Sequence, residues 1–381
     1  MNLVRRILLR KILLGLAAPV LAVAFAAAVT WVILASTGAD PADTFKQMYD
    51  YSQKPRTQVL ILNSATTYYF AAVAVAVGFR MNLFNIGVDG QYRLAAMLAA
   101  VVGGAISLPA PLHALVIIVV GVLVGGMWAG IAGLLKVYRG VSEVISTIML
   151  NAIASATISY LLKPNRLAVQ TQGSNNIGTK PIAESGQVPG LALVPQAQTK
   201  VFGMIVVAVL VGIGFWFLIN RTRFGFDLRA TGRSEPAAVA SGVDVKKMVL
   251  ASMLISGAVA GLVGMPQLLG SSYSYALDFP AGLGFTGIAI ALLGRNHPVG
   301  IAIGALLWGF LDNSSQILDL AGVPKEIVLI TQGVMVLSVV VAYEIVRRYR
   351  VVLAQREVGR ADEAPPPSAV PVGAVSDGGP L

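Results

Sequence analysis

Polar chemistry gathers in one stretch of the chain, Met81 to Met97, which reads MNLFNIGVDGQYRLAAM. Asn82, Asn85 and Gln91 carry amides, Asp89 a carboxylate and Phe84 an aromatic ring, all within ten residues. Gly87 and Gly90 loosen the backbone between them. Such groups hold partners by hydrogen bonding; none is a nucleophile beside a base. The rest of the chain supplies no catalytic set either. It has no cysteine, and its two histidines, His113 and His297, stand far apart without metal-ligand spacing. There is no G-x-x-x-x-G-K-[ST] phosphate loop, no H-E-x-x-H and no G-x-S-x-G. The sequence therefore predicts a chain that is not an enzyme, with no metal site and no cofactor. If ATP drives it, another subunit must hydrolyse the ATP.

A second stretch, Arg229 to Lys247, reads RATGRSEPAAVASGVDVKK. Ser234 suits an N-cap, Glu235 the positive end of a helix, and Pro236 its first turn. Gly242 suits the residue that closes it. Between them lie small side chains, among them Ala237, Ala238 and Ser241. Two turns of helix are unstable alone in water, so this one must dock on something. Arg229, Arg233, Lys246 and Lys247 flank it, with Gly232 beside Arg233, as suits insertion into a groove on a partner. An ordinary capped turn between two longer helices is the alternative.

These stretches are set in an apolar chain. Of its 381 residues, 56% are hydrophobic and 12% charged, where a soluble domain carries about 25% charged residues. The composition points to a polytopic helical membrane protein. The ten-residue alternation of a membrane β-barrel is not visible. A formal charge of +10 fits basic residues at cytoplasmic helix ends better than nucleic-acid binding. In such a setting each unmet polar group in hydrocarbon costs several kcal/mol, so the polar stretch at 81–97 needs a reason.

Long apolar runs fall at 12–36, 59–79, 94–108, 112–135, 144–162, 201–219, 248–269, 283–294, 298–311 and 326–346. The first follows basic residues and mimics a signal peptide, but it is about as long as a full bilayer span, whereas a signal core is about 7–15 residues. It reads as a retained first helix. Arg and Lys concentrate in alternate connections: at 5–11, 80–93, 136–139, 221–247, 295 and 347–350. That bias predicts ten spans with both termini on the cytoplasmic side of the cell's inner membrane. Three runs, 94–108, 283–294 and 298–311, hold only 15, 12 and 14 residues, against about 20 for a straight span. Short or broken helices at matching places in two halves point to a site at the bilayer midplane.

The expected architecture is all-α, with about ten transmembrane helices in two pseudo-symmetric inverted halves. Residues 1–58 hold the first helix and an outer connection, and 59–163 the first repeat. Residues 164–247 hold the outer loop, the sixth helix and the cytoplasmic connection, 248–346 the second repeat, and 347–381 a disordered cytoplasmic tail. Glycines at packing spacing, Gly121 and Gly125, Gly126 and Gly130, Gly257 and Gly261, Gly300 and Gly304, predict close helix crossings. Glu143 beside Lys136 and Arg139 reads as a charge at a cytoplasmic helix start.

Four segments in order, FNIGVDGQ, GVSEVISTIMLNAIA, ATGRSEPAAVASGVDVKK and GFTGIAIALLGRNHPVG, carry a resemblance. Over roughly residues 59–346 the chain resembles the permease subunits of bacterial ABC importers for simple sugars and nucleosides, in the branched-chain amino acid/ribose-type permease superfamily. It looks more like the nucleoside branch, because FNIGVDGQ stands where ribose-type permeases carry a GIDLS-like stretch. Asp89 stands where that branch often carries Glu, a change that keeps the carboxylate. The resemblance implies two permeases per complex, identical or not, two ATP-binding subunits and an extracytoplasmic substrate-binding lipoprotein. It also implies that residues 233–242 are the coupling helix seated in the ATPase.

A nucleoside path needs amide and carboxylate partners for the ribose and apolar or aromatic surface for the base. Asn82, Asn85, Asp89, Gln91 and Asn151 supply the first, Phe84 and Phe285 the second, with Thr286 beside Phe285. The alternative is structural: Asn85 caps a broken helix, Gly87 and Gly90 permit the break, and Asp89 pairs Arg80 or Arg93. The functional expectation is inward translocation of nucleosides or sugar-like solutes, driven by ATP hydrolysed elsewhere. An ion-coupled secondary transporter using Asp89, a permease for ribose or galactose, and a membrane enzyme or scaffold are the rivals.

Overall fold

The computed structural model describes residues 2–170, 177–320, 322–324 and 326–362. The described residues are mostly helical, with one small hairpin in the connection between α6 and α7. In order the helices are α1 (Asn2–Ser36), α2 (Pro41–Ser52), α3 (Pro55–Phe79), α4 (Val88–Ala105), α5 (Leu112–Arg139) and α6 (Glu143–Leu161). The hairpin, β1 (Ala168–Gln170) and β2 (Ile177–Thr179), is antiparallel and pairs Val169 with Gly178. Then come α7 (Met204–Arg221), α8 (Arg223–Arg233), α9 (Glu235–Ala240), α10 (Val245–Ala260), α11 (Met265–Gln267), α12 (Leu283–Leu293), α13 (Pro298–Ser314), α14 (Gln316–Leu320) and α15 (Glu326–Asp362).

The ten apolar runs fall mainly in helices, seven of them of membrane-spanning length. Seven of the described helical stretches are long and apolar enough to cross a membrane: Pro19–Ser36, Pro55–Phe79, Leu112–Arg139, Glu143–Leu161, Met204–Arg221, Val245–Ser272 and Glu326–Val346. The three short runs became α4, α12 and α13. The first of these begins six residues earlier than its apolar run, because the polar residues 88–93 are themselves helical. The tail also differs. Helix α15 continues to Asp362, so the first part of the tail expected from 347 is helical, and 363–381 lie outside the described residues.

The centre of the bundle is α3, whose residues Phe70 to Val77 are all buried. α4, α10, α12 and α13 all pack against it. The glycine spacing does what it predicts at the crossing of α5 and α10. A Cβ on Gly261 would lie 2.0 Å from the Gly121 carbonyl oxygen, and one on Gly257 would lie 2.3 Å from that of Gly125. The two backbones touch, which is how small residues gain dispersion contact where lipid gives no hydrophobic drive. α1 packs along α15, with the Thr30 and Thr331 hydroxyls 2.7 Å apart.

Helices α4 and α12 each start at a break. After α3, the chain turns back on itself at Gly78: the Leu83 N–H donates to the Gly78 carbonyl at 3.0 Å. A Cβ on Gly78 would lie 2.8 Å from the Leu83 carbonyl oxygen. The non-helical residues 82–87 then run back beside α3 before α4 begins. In the second half, α11 leads into a π-helical turn, Leu268–Ser272, and a non-helical stretch to Gly282. Gly282 has φ of +85°, a left-handed conformation that glycine adopts freely, and α12 starts on the next residue.

Candidate functional site

The starts of α4 and α12 meet. The Gly282 N–H donates to the Asp89 carboxylate at 2.7 Å, and the Tyr92 hydroxyl donates to the Pro280 carbonyl at 2.6 Å. Gly284 lies flat against this contact, since a Cβ there would stand 2.7 Å from the Asp89 nitrogen. Arg93 completes the group, 4.0 Å from Asp89 across one helical turn. A carboxylate between two helix N-termini is favoured by both dipoles. Of the two partners expected for Asp89, Arg93 is the one it meets, and the shorter contact is the Gly282 N–H, from a residue 193 positions away. Phe285 and Thr286 follow on the first turn of α12. Phe285 is 57% exposed, while Thr286 is half-buried.

Asn85 and Gln91 face each other rather than open space. Both are 1% exposed. Their amides exchange two bonds, Asn85 Nδ2 to Gln91 Oε1 at 2.9 Å and Gln91 Nε2 to Asn85 Oδ1 at 2.8 Å. Asn85 also donates to the Ser256 hydroxyl at 2.8 Å and accepts the Gly87 N–H at 3.1 Å. Ser256 in turn donates to the Ala74 carbonyl at 2.6 Å. Asn151 uses both ends of its amide, accepting from Gly90 N–H at 2.8 Å and donating to the Ile86 carbonyl at 3.0 Å. In this conformation these three amides staple the break to α3, α6 and α10 and do not line an open path. Phe84 does face outward, 47% exposed, with its ring edge-on to Phe79 at 5.1 Å.

The segment before the break gathers the connections that carry the basic residues. Asn82, with φ of 57°, donates to the Gly232 carbonyl at 3.0 Å. Arg80 donates to the Asn296 carbonyl at 2.6 Å, and the Phe84 N–H reaches Glu143 at 3.4 Å. Glu143 pairs with Lys136 at 2.6 Å, the helix-start charge foreseen for it. Gly232 lies against the Arg80–Met81 turn, where a Cβ would be 2.7 Å from the Arg80 carbonyl oxygen. Burial, then the Arg80 charge, lowers the His297 imidazole below its ordinary value. Its Nδ1 accepts the Val299 N–H at 3.3 Å and so caps α13.

α9 has the caps the sequence called for. Ser234 accepts the Ala237 N–H, Pro236 sits in the first turn, and Gly242 has φ of +81°. Arg233, Ser234, Glu235, Pro236, Ala237 and Ser241 are exposed. Ala238 is 2% exposed and faces the bundle, so it anchors the helix instead of belonging to its outer face. Asp244 caps α10 on the Lys247 N–H at 3.1 Å. That bond, then the Lys247 ammonium, holds its carboxyl below the usual range.

A further polar cluster escaped the sequence reading. Asp312 accepts from the Tyr68 hydroxyl and, at 2.5 Å, from the Gln332 amide. Asn313 donates to the Ser64 hydroxyl at 3.0 Å, and Asn63 accepts the Phe202 N–H at 2.7 Å. The signal was present as isolated polar residues inside the apolar runs 59–79 and 326–346, facing the end of 298–311. Among the described residues, no group of three or more His, Cys, Asp or Glu is placed to hold a metal ion.

Seven described helices long and apolar enough to span a bilayer mark a multi-pass membrane protein. The chain belongs to the family described as branched-chain amino acid transport system/permease component, whose model matches residues 58–340. It is 37% identical over 286 residues to a guanosine ABC transporter permease of Bacillus subtilis (strain 168), covering 74% of this chain and 81% of that one. It is 32% identical over 346 residues to a glucose ABC transporter permease of Haloferax volcanii, covering 88% and 90%. To a nucleoside ABC transporter permease of Lactococcus lactis subsp. cremoris it is 28% identical over 370 residues, covering 93% and 96%. No solved structure matches. These relatives are permeases of the nucleoside and sugar ABC importer branch, transport components and not enzymes.

Proposed function

We propose that this chain is the transmembrane subunit that carries nucleosides, or related sugar-like solutes, inward across the inner membrane. Separate ATP-binding subunits would hydrolyse ATP, a second permease would complete the conduit, and an extracytoplasmic lipoprotein would deliver the solute. The observation that carries this reading is the match to permeases named for guanosine and for nucleosides over most of the chain. The glucose permease, similar over a larger share than the guanosine one, keeps a simple sugar as the second reading. Nothing at Asp89 favours ion coupling, since its carboxylate is already engaged by Gly282 and Arg93.

In this reading α9 docks in the ATPase. It is too short to stand alone, Ala238 seats it on the bundle, and its small-sided outer face is free. Two inverted repeats, 59–163 and 248–346, with both termini cytoplasmic, account for the paired breaks. One break approaches from the side of Arg80, the other from the side of the hairpin, and the helices after them meet at Asp89 and Gly282. Solute passes where these half-helices separate, beside Asp89, Phe285, Thr286 and Phe84. Asn82, Asn85, Gln91 and Asn151 come within reach only if the break opens, and the Asp312 cluster offers further partners for hydroxyls.

The test is reconstitution of the full complex with its ATP-binding subunits. Glu235→Trp and Ala237→Trp, on the exposed face of α9, lower uptake and solute-stimulated ATP hydrolysis while leaving the amount of inserted chain unchanged. Guanosine and glucose are compared as cargo. Normal transport by both variants would sink the coupling role, and uptake by the chain alone on a proton or sodium gradient would sink the ABC reading.

A further inference from the structure

The two breaks are held differently. At the first, the side chains of Asn85 and Asn151 meet backbone groups of residues 86–90. At the second, the backbone of 269–275 is met by the connection between α6 and α7. The Val188 N–H donates to the Leu269 carbonyl at 3.0 Å, the Ile182 N–H to that of Tyr273 at 2.8 Å and the Thr179 N–H to that of Tyr275 at 2.8 Å. The Tyr275 N–H donates in turn to the Thr179 hydroxyl at 3.0 Å. Gly178 bridges Ala276 in antiparallel fashion, and a Cβ on Gly178 would lie 3.0 Å from the Tyr275 carbonyl oxygen. Backbone groups at membrane depth need such partners where no helix supplies them.

Residues 177–188 therefore form a strap along the second break, and the same strap is seated on α4 and α5. A Cβ on Gly104 would lie 2.5 Å from the Lys180 carbonyl oxygen, and one on Gly103 3.2 Å from the Ile182 side chain. His113, wholly buried at the start of α5, joins the two. One ring nitrogen is 2.9 Å from the Ser185 hydroxyl and the other 3.0 Å from the Gly103 carbonyl oxygen. The strap thus holds both the last turn of α4 and the second break. The first turn of α4 and the end of that break meet at Asp89 and Gly282. Between Tyr275 and Gly282 the chain is folded, with the Tyr275 ring stacked on Phe279 at 4.7 Å and the Tyr92 hydroxyl bonded to Pro280.

We infer that the strap is a latch on this junction: α4 and α12 part at Asp89 and Gly282 only when 178–182 releases 273–276. The inference rests on the reading that solute passes where these half-helices separate. Thr179, whose N–H and hydroxyl both hold Tyr275, is the centre of the latch.

Cysteine cross-linking in the reconstituted full complex tests this, since the chain has no cysteine of its own. A Cβ at 178 would stand 3.4 Å from that of Ala276, close to the separation of about 3.5–4.5 Å in a disulfide. The cargo is whichever of guanosine and glucose the wild type carries. Gly178→Cys with Ala276→Cys transports it when reduced, loses most of its uptake on oxidation and regains it with dithiothreitol. Val169→Cys with Gly178→Cys, which joins two residues paired within the hairpin, cross-links without loss of uptake. Full uptake by the oxidised 178–276 pair overturns the latch and leaves the transport reading standing. Uptake of neither solute by the wild type sinks the transport reading, and the latch with it. Hydrogen exchange of the wild-type complex decides the matter even where the cysteine pair does not fold. The Thr179 and Ile182 amides exchange several-fold faster during ATP turnover than at rest, while those of Phe70 to Val77 do not change. Equal exchange at Thr179 and Ile182 in the two conditions overturns the latch.

Discussion

Replacing Asn85 by Ala tests whether the polar stretch holds the fold or lines a path. The side chain makes four hydrogen bonds in a site that is 1% exposed. Its loss strands both ends of the Gln91 amide and the Gly87 N–H, while Ser256 keeps its bond to Ala74. Three stranded groups at about 1–3 kcal/mol each set an upper bound of about 9 kcal/mol. Hydrogen bonds measured inside membrane proteins average about 0.6 kcal/mol, which puts four bonds near 2.4 kcal/mol. With Gln91 free to turn, the expected loss lies between about 2 and 5 kcal/mol. The assay is equilibrium unfolding of the purified chain in mixed micelles, run as a cycle with Gln91→Ala. Removing both amides removes the stranding, so the double variant is more stable than the sum of the two losses by about 1–2 kcal/mol. Additivity within about 0.5 kcal/mol would refute the amide pair. A fully stable Asn85→Ala chain with altered solute choice would refute the structural role.

Two other variants probe the neighbouring contacts. Asp89→Asn retains an oxygen for the Gly282 N–H and loses only the charge opposite Arg93, whereas Asp89→Ala strands both. The Asn variant is therefore expected to fold in larger yield than the Ala variant, measured by monodisperse recovery in size-exclusion chromatography. At His297 the cap on Val299 requires a neutral imidazole, and the lowered pKa means that protonation opposes the fold. Its contribution is present above the ordinary value of about 6.5 and is lost as pH falls below it. The thermal midpoint in detergent thus falls between pH 7.5 and 5.5, and His297→Asn, which caps without titrating, flattens that dependence.

Much of the scaffold was legible because it depends on local rules. Apolar runs fall in helices wherever backbone bonding must be met internally. Ser234, Pro236 and Gly242 specified α9 through capping chemistry alone, and Gly257 and Gly261 announced a close crossing. The partners were not legible. Nothing local to Asp89 points to Gly282, which is 193 residues away, nor does Asn85 reveal Ser256, 171 residues away. The face taken by Ala238 was also hidden, because a six-residue helix has too few turns for periodicity to show. The Asp312 cluster is hidden by distance, since Tyr68 and Gln332 sit in two separate apolar runs and Asp312 just past the end of a third.

The bond from Asn82 to Gly232 has a mechanical side. Gly232 is two residues from the N-cap of α9, and Asn82 is six residues from the first turn of α4, with the carbonyl of Asn296 gripped by Arg80 in between. A short non-helical stretch, 82–87, therefore links the turn beside α9 to the buried junction at Asp89. No long helix lies in series between the two ends. The glycine at 232, flush against the 80–81 turn, holds the two ends in direct contact.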